Sequence, residues 1–74
     1  MNTVIFEGWE VGMRKISFSM LLTDNSHLGL KEARSIKDKI LANEVVELEL
    51  ETEEIANFIV EESRKLGVKC RLKE

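Results

Sequence analysis

Between Val45 and Lys73 the hydrophobic period switches from two to about 3.6 and back to two, which confines the second half of the chain to strand, helix, strand. Val46, Leu48 and Leu50 alternate with Glu47, Glu49 and Glu51, the pattern of a strand with one face on a core and one in water. Thr52 follows as an N-cap, with Glu53 and Glu54 where the helix dipole favours negative charge. Ile55, Phe58, Ile59 and Leu66 make the buried stripe of a helix, and Gly67 supplies the left-handed residue that ends it. Val68, Cys70 and Leu72 then point inward from a last strand, and Lys69, Arg71 and Lys73 point outward.

The first half is less uniform. Thr3, Val4, Ile5 and Phe6 form a β-branched and aromatic run closed by Glu7 and Gly8, which predicts a first strand. From Gly12 to Leu22 two periods compete. Met13, Ile16 and Met20 lie at helical spacing, while Ile16, Phe18, Met20 and Leu22 alternate as in a strand, and local propensity leans slightly to strand. Thr23, Asp24, Asn25 and Ser26 read as a break, because each side chain can bond nearby backbone. A cleaner helix follows, with Leu30, Ala33, Ile36, Lys37 and Ile40 as its stripe, Glu32 in its first turn, Lys37 and Lys39 near its end and Asn43 as its stop.

Charge and composition narrow the function classes. The 74 residues contain no proline, no linker and no repeat, so one domain over 1–74 is expected, near the lower size limit for folding without staples. A net charge of −3, from 14 acidic against 11 basic residues, argues against a dedicated nucleic-acid binder. It suits a soluble protein with basic protein partners. No apolar run is long enough for a membrane span, and the single cysteine, Cys70, fits a reducing, cytoplasmic setting. No nucleophile–base pair or ligand cluster is visible, so neither an enzyme nor a cofactor is expected. His27 stands without a second histidine or a cysteine nearby, and Cys70 reads as an inert core residue. Glu47, Glu49 and Glu51 stand ~6.8 Å apart along a strand, too far for two to share a small cation unaided. Trp9 and Phe6, near a turn, read as closing a small core more than as an interface.

The stretch Ser26-His27-Leu28-Gly29-Leu30-Lys31-Glu32-Ala33-Arg34 resembles the hallmark Thr-Gly-Leu-Gly-Leu-Lys-Glu-Ala-Lys of the C-terminal domain of the bacterial ribosomal stalk protein. The likeness runs without a gap over residues 15–34 and continues at Glu61 to Cys70, so it covers nearly the whole chain. It implies an α+β fold of order β-α-α-β-α-β, a two-layer sandwich, and makes Met13 to Leu22 a helix against the local strand pattern. Two helices then return the chain antiparallel to the first strand, and one helix leaves the second and third strands parallel to each other. A three-stranded antiparallel sheet covered by three helices therefore needs the first strand in its centre. Its open edges carry Glu47, Glu49 and Glu51 on one side and Lys69, Arg71 and Lys73 on the other. These rows read either as a solvated face kept from aggregating by charge or as opposite-sign edges that pair in a homodimer.

The resemblance also implies a site on the first two helices, where the stalk family catches translation factors. The matching positions are Lys15, Ile16, Ser19, Met20, Thr23 and Arg34. Lys15, Ile16 and Arg34 keep the family's chemistry, whereas Met20 and Thr23 replace a lysine and an arginine, a loss that changes which partner is accepted. His27 replaces a glycine, which implies a strained backbone there or a different loop. The stalk protein's dimerisation helices and hinge have no counterpart before the first strand, so a free-standing stalk-like domain is expected, not a ribosomal component.

The primary expectation is thus a small non-catalytic binding module presenting Lys15, Ile16, Met20, Lys31 and Arg34 to a protein partner. One alternative is a self-associating structural or accessory domain. Another is a module like the adaptor that feeds N-degron substrates to the Clp protease, which shares the layout. Its amine-binding cluster would be reduced here to Glu7 and Glu10 beside Trp9, and the histidine it needs is missing between Arg34 and Asn43.

Overall fold

The computed structural model describes residues 2–73. Its elements are β1 (Thr3–Trp9), α1 (Lys15–Asn25), α2 (Leu30–Leu41), β2 (Val46–Glu49), α3 (Glu53–Lys65) and β3 (Val68–Leu72). The sheet order is β2-β1-β3 with both pairings antiparallel, so the first strand is central as the connection rules require. Three helices cover one face, with α1 lying between α2 and α3.

β1 runs further than the expected Thr3 to Phe6, and the reason is a bulge. The register with β3 slips between Phe6 and Gly8, after which Trp9 pairs with Val68. The extra residue returns Trp9 to the same face as Val4 and Phe6, where it packs against the core half-buried. On the opposite face Arg71 Nε donates to Glu7 (3.1 Å) and Lys73 Nζ to Glu47 (2.9 Å). The acidic and basic rows therefore meet across β1 within one chain, and Ile5 lies buried between them, paired with Glu47 on one side and Arg71 on the other. Both ion pairs are about half exposed and contribute little to stability by themselves.

The two sheet edges are not equivalent. Lys73 N–H donates to Thr3 O, so by strand parity Cys70 turns its own carbonyl away from β1. Arg64 reaches over from α3 and donates to that carbonyl from both Nε (3.2 Å) and Nη2 (3.1 Å). One acceptor of the β3 edge is thereby already spent.

α1 shows why its sequence was ambiguous. Phe18, Ser19 and Leu22 are buried, while Ile16 and Met20 are exposed. The four large apolar residues that alternate as in a strand are in fact two i,i+4 pairs on opposite sides of a helix. The helix also runs through the expected break to Asn25. Thr23 Oγ1 donates to Ser19 O (2.9 Å), Asn25 Nδ2 to Leu21 O (3.0 Å) and Ser26 Oγ to Leu22 O. These side chains bond back to carbonyls four residues earlier, and of the three acceptors Leu22 O lies in the last turn, where carbonyls otherwise go unpaired.

The remaining ends follow the sequence closely. Asn43 has φ 65°, and Glu44 N–H donates to Lys39 O (3.0 Å), the six-to-one bond that closes a helix over a left-handed residue. Thr52 Oγ1 accepts from Ile55 N–H (3.1 Å), and Gly67 has φ 90°. β2 is shorter than expected, ending at Glu49, although Leu50 stays buried and donates to Asn2 O. The buried face of α3 is Ala56, Ile59, Val60 and Ser63, so Phe58 is not in the stripe but stands 45% exposed. Phe6 and Phe18 meet edge to face at 5.5 Å in the middle of the core.

Cys70 is buried with its thiol 3.6 Å from Val60 O, and burial pushes its pKa from 9.0 up to about 11. The thiol is thus expected to resist thiol reagents at pH 8 until the domain opens, with a labelling rate that rises in step with urea unfolding. Rapid labelling of the native protein would contradict this placement. Because the folded pKa lies above the unfolded one, this group's contribution is intact below pH 9 and fades as pH rises toward 11.

Candidate functional site

α1 and α2 pack side by side, and a groove of 530 Å³ runs along their outer seam. Ile16, Ser19 and Met20 line it from α1, and Leu30, Arg34 and Lys37 from α2. Ile16 is 78% exposed, Met20 54% and Leu30 48%. Three large apolar side chains standing in water on one seam are the kind of patch that marks an interaction surface on a small protein.

The seam is built by the sequence of each helix. α1 has no polar face: with Phe18 and Leu22 turned inward, Ile16 and Met20 are left to the outside. α2 begins at Leu30 after Gly29, whose N–H donates to the Glu32 carboxylate and so caps the helix start. Ala33 and Ile40 go into the core, which turns Leu30 and Arg34 toward α1.

The positions expected from sequence separate into two groups. Ile16, Met20 and Arg34 come together in the groove, and Lys15 is exposed at the start of α1, in a shallower depression with Met13 and Ile16. Ser19 is only 6% exposed and its hydroxyl donates to Lys15 O (3.2 Å), so it forms floor and offers no group to a partner. Thr23 spends its hydroxyl on Ser19 O. Lys31 is exposed one position from Leu30, outside the groove lining. Leu30 and Lys37, expected in the core stripe of α2, line the groove instead. Lys37 bridges Asp38 at 3.4 Å, its side chain 22% exposed. Leu30, at the first position of α2, reaches the rim beside Ile16 and Met20, a placement that depends on how α1 packs.

The other candidates disperse. Glu7 is held by Arg71 on the outer face of the sheet, while the bulge puts Trp9 on the core face, so the two do not converge on an ammonium-sized site. His27 has no positive φ, which belongs among non-glycine residues to Asn43 alone within the described residues. The loop differs from the strained backbone that replacing a glycine implies. Its Nδ1 lies 3.8 Å from Glu51, with both side chains more than half exposed. Among the described residues no group of three or more His, Cys, Asp or Glu is placed to hold a metal ion. No helix among them is long and apolar enough to cross a membrane.

No family model, curated protein or solved structure matches the chain.

Proposed function

We propose that this chain is a non-catalytic binding module that takes a protein partner on the outer seam of α1 and α2. The observation that carries the reading is the groove itself. Ile16, Met20 and Leu30 stand exposed with Arg34 and Lys37 in the lining, and Lys15 stands next to Ile16 in the adjoining depression, a basic apolar patch on a chain whose net charge is −3. Apolar centres supply contact energy and rim cations steer and select the partner. The resemblance of residues 15–34 to the stalk protein's factor-binding helices supports the same face. With Met20 and Thr23 in place of two cations, the partner need not be a translation factor.

The test is affinity capture from the native host with the wild-type protein and with Lys15→Glu combined with Arg34→Glu. Both positions are exposed, so the variant folds with a circular dichroism spectrum like the parent's. Capture of a defined protein is expected to fall by roughly tenfold or more in the variant, as when rim charges are reversed at a steered interface. Unchanged capture excludes this face as the site.

A further inference from the structure

We propose that the outer face of the helical layer is self-complementary and joins two copies of this chain about a twofold axis. This goes beyond partner binding, since a second copy would compete for the same seam. α1 lies between α2 and α3, and the two halves of the layer carry opposite net charge, basic over α1 and α2 and acidic over α3. On the α1–α2 half, exposed Ile16, Met20 and Leu30 are accompanied by Lys15 and Arg34.

On the α3 half, Glu54, Phe58 and Glu61 fall at i, i+4 and i+7, one outward face of the helix, and all three are exposed. Phe58 and Ile55 line a shallow hollow with Glu54 and with Asn25 at the end of α1. Each half thus has an apolar centre, and the net charges are opposite: α1 and α2 together carry five basic and three acidic residues, whereas α3 carries four acidic and two basic, of which Lys65 is paired with Glu62.

A twofold axis places the basic half of one copy on the acidic half of the other and repeats the contact reciprocally, which closes the assembly at two. Each apolar centre is covered and each charged rim meets its opposite. The sheet offers no equivalent. Arg64 already caps the Cys70 carbonyl on the β3 edge, and the Glu47–Lys73 and Glu7–Arg71 pairs close within one chain. Pairing two β2 edges would bring Glu47 and Glu49 of both copies together, like charges that destabilise a cross-strand pair.

Sedimentation equilibrium on charge-reversed variants tests the arrangement. Lys15→Glu with Arg34→Glu makes both halves acidic, and Glu54→Lys with Glu61→Lys makes both halves basic. Each variant alone is expected to lose self-association by about tenfold or more relative to wild type. An equimolar mixture of the two is expected to recover the dimer, because each half again faces its opposite. Phe58→Ala is expected to weaken the dimer comparably while leaving capture of a partner on the α1–α2 seam intact.

A wild-type chain that remains strictly monomeric up to about 1 mM overturns the proposal, as no useful affinity then exists. So does a dimer indifferent to both reversals, or a mixture no better than its components. A monomer that still captures a partner through Lys15 and Arg34 overturns self-association and leaves the partner-binding reading standing. A reversible dimer restored by mixing, with no partner captured, supports the proposal and removes that reading.

Discussion

Replacing Phe18 by alanine is expected to cost about 3–5 kcal/mol, the range for truncating a large aromatic in a close-packed core. A chain of 74 residues has roughly 4–11 kcal/mol of stability in total, so the variant sits near or below its folding threshold at room temperature. Phe18 is fully buried and meets Phe6 edge to face at 5.5 Å, an arrangement that adds to the burial of area alone. Urea denaturation measures the loss as a fall in the transition midpoint. Ile16→Ala and Met20→Ala, measured at dilution, should each stay within about 0.5 kcal/mol because both side chains already stand in water. The contrast is diagnostic of the helix: in a strand, residues 16, 18, 20 and 22 would share one face and respond together. Equal losses at Ile16, Met20 and Phe18 would contradict the assignment of α1.

The same residues explain how much of the molecule was legible. From Val45 onward, period, caps and stop residues agree: Thr52 caps, Gly67 turns, and Cys70 and Leu48 point inward as expected. The central position of β1 followed from the connection rules once the order of elements that the resemblance implies was taken. α1 was not legible from its own residues, because a helix that is apolar on two sides has no amphipathic signature. There the family resemblance supplied the helix against a pattern that favoured a strand. Non-local packing was also invisible. The bulge that turns Trp9 inward and the crossing of charges over Ile5 join segments far apart in sequence, and the Arg64 cap on Cys70 O spans the turn from α3 into β3.

The candidate site divides along the same line. Ile16, Met20 and Arg34 are positions that the resemblance implies, and they line one groove. Ser19 and Thr23 spend their hydroxyls on helix carbonyls, so Ser19 lines the groove only as floor and Thr23 stays outside its lining, a use the residue type permits but does not reveal. Leu30 was read as core because a stripe at helical spacing says which residues share a face, not where that face runs out of neighbours. Phe58 left the core for the same reason. Both residues therefore sit on the two halves of the helical layer where contacts are now proposed.

The second large effect is expected at Gly67, and a built-in control separates its causes. Gly67 and Gly12 both hold positive φ, 90° and 95°, so alanine at either position meets the left-handed penalty of about 1–2 kcal/mol. Their surroundings differ. A Cβ on Gly12 meets nothing within 4 Å, whereas one on Gly67 lies 3.0 Å from Met13 Cα and 3.4 Å from Met13 N and Cβ. Met13 has little room to retreat, because Glu10 N–H donates to Gly67 O (2.8 Å), Met13 N–H to Glu10 O (3.1 Å) and Arg14 N–H to Leu66 O (3.0 Å). Gly12→Ala should therefore lose about 1 kcal/mol, strain being partly offset by a less flexible unfolded chain. Gly67→Ala should lose about 2–5 kcal/mol, adding the overpacking cost of a crowded backbone. Gly67→Asn divides the two terms further, since asparagine tolerates positive φ but carries the same Cβ. If its loss matches that of alanine, the Met13 contact dominates; recovery toward wild type assigns the loss to φ. Gly67→Ala no worse than Gly12→Ala would mean that the approach of the 10–14 loop to Gly67 is loose. That approach sets the start of α1, and with it where Ile16 stands in the groove and Lys15 in the depression next to it.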